Sequence, residues 1–96
     1  PQFPASERDV AMIVDESVTH SDVLGVVKKI KPANLVETQL FDVFRGKNVP
    51  EGQKSLAYSF TYRSAEKTLK DKEVNSAHDQ LIAALKEQLP ATIRDT

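Results

Sequence analysis

Asp42 and Phe44 lie two residues apart in the run Leu40-Phe41-Asp42-Val43-Phe44-Arg45-Gly46, whose composition is that of a β-strand. Strand side chains alternate between faces, so residues two apart share a face. An ionised carboxylate is acceptor-only, and its two oxygens suit an edge that carries two adjacent N–H donors. Guanine presents that edge, with N1–H beside an amino group. An aromatic ring two residues along can stack on the same base, a contact worth about 1–3 kcal/mol. Splayed single-stranded bases in RNA are commonly read this way. Small residues such as Ala11 and Ser55 leave room for a flat ring to approach a sheet. The plainer reading is a solvated face with one stray Phe, since singly exposed apolar residues are common.

Such a face needs a sheet behind it. A second run, Lys54 to Arg63, alternates cleanly: Leu56, Tyr58, Phe60 and Tyr62 form an apolar set, and Ser55, Ala57, Ser59 and Thr61 a small, mostly polar one. In the first run, strict alternation puts Phe41 and Val43 in the core and Leu40, Asp42 and Phe44 on the opposite face. Between the runs, Gly46 to Gln53 contains Pro50 and Gly52 and is too long for a two-residue hairpin turn.

Upstream, Val10 to Val14 is short, apolar and rich in β-branched residues, and predicts a buried strand. By alternation, Val10, Met12 and Val14 point inward and Ala11 outward. Thr19 with Asp22 three residues on resembles a capping box. Val23, Val26, Val27 and Ile30 then follow at helical spacing. Pro32 stops that helix near Lys31. Strand two runs from about Leu35 to Arg45 and strand three from about Ser55 to Arg63. A second helix opens near Asp71, carries the stripe Val74, Ala77, Leu81, Ile82, Leu85 and Leu89, and ends at Pro90. Ala91 to Arg94 suggests a short last strand. The order β-α-β-β-α-β is that of an α+β, ferredoxin-like split βαβ sandwich, with an antiparallel sheet, both helices on one face and the other face open.

Ninety-six residues suit one small domain, residues 1–96, and the start at Pro1 reads as a piece of a longer chain. No cysteine is present, which excludes disulfides and thiolate metal sites. No apolar run approaches the roughly 20 residues that span a bilayer. Charge is unevenly spread: residues 45–72 hold seven basic against three acidic side chains, a net of +4, while residues 1–44 carry −3 and residues 73–96 carry −2. A net charge of −1 argues against strong general affinity for nucleic acid. Catalytic signals are absent. His20 and His78 lack partners at metal or catalytic spacing, and His78 reads as structural. No glycine-rich phosphate loop or nucleophile elbow occurs.

Several motifs in order resemble one family. They are Phe3-Pro4-Ala5 with Arg8-Asp9-Val10-Ala11; Leu40 to Gly46; Pro50-Glu51-Gly52; Lys54-Ser55-Leu56-Ala57; Thr68-Leu69; and Asp71-Lys72-Glu73-Val74-Asn75. Through nearly its whole length the chain resembles the C-terminal ferredoxin-fold anticodon-binding domain of bacterial phenylalanyl-tRNA synthetase beta subunits. The resemblance implies a noncatalytic domain that reads the first anticodon base, guanine, of phenylalanine tRNA. Its RNA-binding positions match Ala11, Asp42, Phe44 and Ser55, with Phe44 stacking on the base and Asp42 and Ser55 on its polar edge. Arg8 and Asp9 match the family without an RNA role.

The resemblance further implies a cytoplasmic parent ligase of two alpha and two beta subunits that uses ATP and Mg²⁺, with no cofactor in this domain. The chain departs from the family pattern at Phe44, where Tyr is frequent, and at Lys70, where Thr is frequent and caps the second helix. Two other readings of the same fold are a regulatory, small-ligand-binding module and a small phosphatase. The phosphatase needs an anion-cradling loop after strand one, where this chain has the acidic Asp15-Glu16-Ser17-Val18-Thr19.

Overall fold

The computed structural model describes residues 3–95. Six elements follow in order: β1 (Ser6–Asp15), α1 (His20–Ile30), β2 (Leu35–Phe44), β3 (Gln53–Tyr62), α2 (Asp71–Gln88) and β4 (Thr92–Asp95). The strands form one sheet in the order β2-β3-β1-β4, and each neighbouring pair is antiparallel. β1 and β2 therefore run parallel with β3 between them, which is the split βαβ topology of the ferredoxin-like α+β fold.

The alternation in β3 decides the layering. Leu56, Tyr58, Phe60 and Tyr62 are buried, and register with Val10 and Met12 of β1 puts those on the same face. Val23 and Val26 of α1 and Val74, Ala77, Leu81, Ile82, Ala84 and Leu85 of α2 join the same core. Both helices thus cover one face, and the face carrying Ser55, Ala57, Ser59 and Thr61 has no helix over it. The two buried phenols find partners at the helix layer: the Tyr58 hydroxyl is hydrogen-bonded to His20 Nδ1 at 2.8 Å and the Tyr62 hydroxyl to His78 Nδ1 at 2.9 Å. Burial pushes both phenols up to about 12, so they remain neutral. Both histidines therefore serve the core.

Helix α1 has the capping box expected from its sequence. Thr19 Oγ1 accepts from the Asp22 N–H at 3.1 Å, and the Asp22 carboxylate accepts from the Thr19 N–H at 2.9 Å. Its last turn closes at Lys31 in the left-handed region, φ 52°, just before Pro32. Helix α2 begins less well. Its N-cap, Lys70, has the extended backbone of a cap but an ammonium cannot accept a hydrogen bond. Only the return half of the box forms, with Glu73 accepting from the Lys70 N–H at 3.2 Å. Lys70→Thr should complete it and stabilise the fold by about 1 kcal/mol; the urea midpoint reads this directly, and an unchanged midpoint would contradict it.

Two expectations are corrected. β1 starts at Ser6 and pairs with β3 over all ten of its residues, longer than the apolar run Val10–Val14. Its charged first half is held by the ladder and by Arg8, which faces the helix layer and donates to Asn75 Oδ1 of α2 at 3.1 and 3.4 Å. The second correction concerns β2. Its register slips between Leu35 and Glu37 and again between Leu40 and Asp42. A bulge adds one residue and so reverses the parity of everything before it. Leu40 consequently pairs with Tyr58 and packs on the core, while Phe41, expected inside, is 55% exposed. Val43 keeps its inward register opposite Leu56 but is 41% exposed, because β2 is the edge strand.

Candidate nucleic-acid interface

Register defines the open face residue by residue. Phe44, Ser55, Ile13 and Thr92 form one row across the four strands, and Asp42, Ala57 and Ala11 form the next. Phe44 and Ser55 are direct partners, with Cβ atoms about 4.5–5.5 Å apart. Asp42 follows about 7 Å along the same strand. All four residues expected from the sequence therefore occupy two adjacent rows of one face. Ala11 is the outlying member, two strands or about 10 Å from Asp42. Ser55, Ala57 and Ala11 make a low floor, and Phe44 and Asp42 rise along its edge.

The bulge at Phe41 shapes this edge. By turning Leu40 inward it leaves Asp42 and Phe44 as a separate acceptor and ring at the end of β2. Phe44 is 50% exposed. Among the described residues no donor is hydrogen-bonded to the Asp42 carboxylate, so both oxygens are free to accept from a ligand.

Ile13 was missed from the sequence. It shares the row of Phe44 and Ser55 on the open face yet is only 6% exposed. The signal was present in the unbroken apolar run Val10–Val14, since a strand that is apolar on both faces has no solvated side.

The electrostatics differ from a simple basic patch. Glu16, after β1, accepts from Arg45 Nε at 2.5 Å and Nη2 at 2.9 Å, and lies 3.3 Å from Lys54 Nζ. The Arg45 hydrogen bond, with help from Lys54, holds the Glu16 carboxyl down at about 2. Lys67 pairs with Glu73 at 2.8 Å, and Arg63 donates to the Phe3 carbonyl at 3.2 Å. Arg45, Lys54 and Lys67, three of the seven cations counted along residues 45–72, are thus already paired with carboxylates. At the far end of the open face, Glu7 and Glu37 flank Thr61 in one row. Phosphates are disfavoured there by like charge, so the neutral floor around Ala57 is the part suited to a base.

Among the described residues no group of three or more His, Cys, Asp or Glu side chains could hold a metal ion. Nor is any helix among them long and apolar enough to cross a membrane.

A family model described as the ferredoxin-fold anticodon binding domain matches residues 1–94. Curated relatives agree with it. The chain is 42% identical over 94 residues to the phenylalanine–tRNA ligase beta subunit of Clostridium tetani, covering 98% of this chain and 12% of that protein. It is 44% identical over 93 residues to the same subunit of Lactiplantibacillus plantarum, covering 97% and 12%. With that of Dickeya dadantii it is 46% identical over 94 residues, covering 98% and 12%. The chain thus spans about an eighth of the length of these relatives. Fold, open face and family match agree, and the chain belongs to the ferredoxin-fold anticodon-binding domains.

Proposed function

We propose that this chain is the anticodon-reading part of a phenylalanine–tRNA ligase beta subunit, that it forms one domain of a longer polypeptide, and that it recognises the first anticodon base, guanine, on its open sheet face. Phe44 stacks on the base. Asp42 accepts from the N1–H and amino donors of its edge, Ser55 adds a polar contact, and Ala11 and Ala57 give the ring room. The observation that carries this reading is the shared face of Asp42 and Phe44, next to small side chains and away from the helices.

The ligase reaction is proposed for other parts of the enzyme, a cytoplasmic assembly of two alpha and two beta subunits in which ATP and Mg²⁺ serve the attachment of phenylalanine to tRNA. A phosphatase reading is disfavoured by the loop after β1. There Asp15 accepts from the Ser17 N–H and hydroxyl, and the nearby Arg45 is engaged by Glu16.

Photo-crosslinking tests the proposal. With a photoreactive guanine analogue at the first anticodon position, adducts in the full-length enzyme are expected on β2 and β3 around Phe44 and Ser55. Adducts confined to the helices would overturn it.

A further inference from the structure

Glu16 grips both ends of the loop that joins β2 to β3. Its backbone N–H donates to the Gly52 carbonyl at 2.9 Å, and its carboxylate takes the Arg45 fork at 2.5 and 2.9 Å and lies 3.3 Å from Lys54 Nζ. Arg45 directly follows Phe44, Lys54 directly precedes Ser55, and Phe44 and Ser55 are register partners. One carboxylate therefore holds the chain neighbours of two open-face residues. A bidentate guanidinium–carboxylate pair fixes orientation as well as distance, which a point charge does not. Lys54 faces away from Ser55, since adjacent strand residues point to opposite faces, so its tether leaves the open face clear.

We propose that Glu16 is a positioning residue for base reading. It sets the spacing of Phe44 and Ser55, and by occupying Arg45 it keeps the cation next to Phe44 from binding phosphate regardless of base. This rests on the open face being the base-reading surface. Glu16 stays ionised down to about pH 2, so the clamp is intact wherever RNA binding is measured. The Arg45–Glu16 pair is about half exposed, and such pairs contribute little to global stability. The Lys54 side chain is only 12% exposed, so Arg45→Lys, which leaves the Lys54–Glu16 contact in place, reads selectivity apart from folding.

The test uses the full-length ligase and two transcripts of phenylalanine tRNA, with guanine or adenine at the first anticodon position. Affinities for both are measured over a range of salt concentrations for wild type, Glu16→Gln, Arg45→Lys and Asp42→Asn. Glu16→Gln is expected to lower the guanine-to-adenine ratio about 5-fold or more, within the usual range of couplings between sites. It should also steepen the salt dependence by about 0.7 in log–log slope, as the released Arg45 neutralises one further phosphate. Arg45→Lys keeps the charge but loses the fork, so it should lower the ratio and leave the slope unchanged. A wild-type ratio in both clamp variants, with the ratio lost in Asp42→Asn, would overturn the positioning role alone. If Asp42→Asn also keeps the wild-type ratio, the open-face reading fails and the clamp with it. A melting curve for each variant checks that the fold is retained, and Arg45→Lys decides the matter if Glu16→Gln is unstable.

Discussion

Asp42→Asn is expected to reduce discrimination for guanine over adenine at the first anticodon position by about 5- to 150-fold, the equivalent of about 1–3 kcal/mol for a lost bidentate base contact. The substitution keeps the size of the side chain but replaces one acceptor oxygen with an N–H₂ donor, which then meets a donor of guanine. Adenine offers one donor and one acceptor on the corresponding edge, which matches the amide. The variant should therefore lose affinity for guanine and gain some for adenine. Asp42 is exposed and without a hydrogen-bonded donor among the described residues, so stability should stay within about 0.5 kcal/mol of wild type. Aminoacylation of the two transcripts by the full-length enzyme reads the ratio. Parallel loss for both transcripts would assign Asp42 a structural or general electrostatic role instead.

Phe44→Ala is expected to weaken anticodon binding by about 1–3 kcal/mol, since stacking on one base contributes that much. Most of that loss should be shared by any base at that position, because every base has a π-face; the remainder, felt by guanine alone, comes from a base no longer held flat against the Asp42 acceptor. That distinguishes it from Asp42→Asn, whose effect changes sign with the base. Phe44→Tyr keeps the ring and should retain affinity. With half of Phe44 already in solvent, the alanine variant leaves little cavity and the domain should remain folded. Direct binding of phenylalanine tRNA to the full-length enzyme checks this. Equal affinity for wild type and Phe44→Ala would remove the ring from the site.

The order of elements was legible because each has its own local mark. β3 alternates over eight residues, α1 has a capping box, and α2 carries an apolar stripe up to Pro90. The shared face of Asp42, Phe44, Ser55 and Ala11 also followed from period-two counting, since no bulge interrupts β3 or the stretch of β1 and β2 that these residues occupy. Counting failed just before it. Leu40 and Phe41 exchange places because a bulge leaves no trace in hydrophobic pattern when both residues are apolar. The first half of β1 was missed for a different reason: Ser6-Glu7-Arg8-Asp9 looks like a loop, and only pairing with β3 and the bond from Arg8 to Asn75, 67 residues away, makes it a strand.

Local periodicity and capping, which act within a few residues of chain, were enough to specify the βαββαβ order, the inward set of β3 and the shared face of Asp42 and Phe44 at the end of β2. Interactions between distant segments settled the rest. Pairing with β3 placed the bulge that turns Leu40 into the core, and the return of β1 beside the hairpin brought Glu16 within reach of Arg45 and Lys54, 29 and 38 residues further along. Such contacts depend on where folding brings the backbone, and no spacing along the chain encodes them.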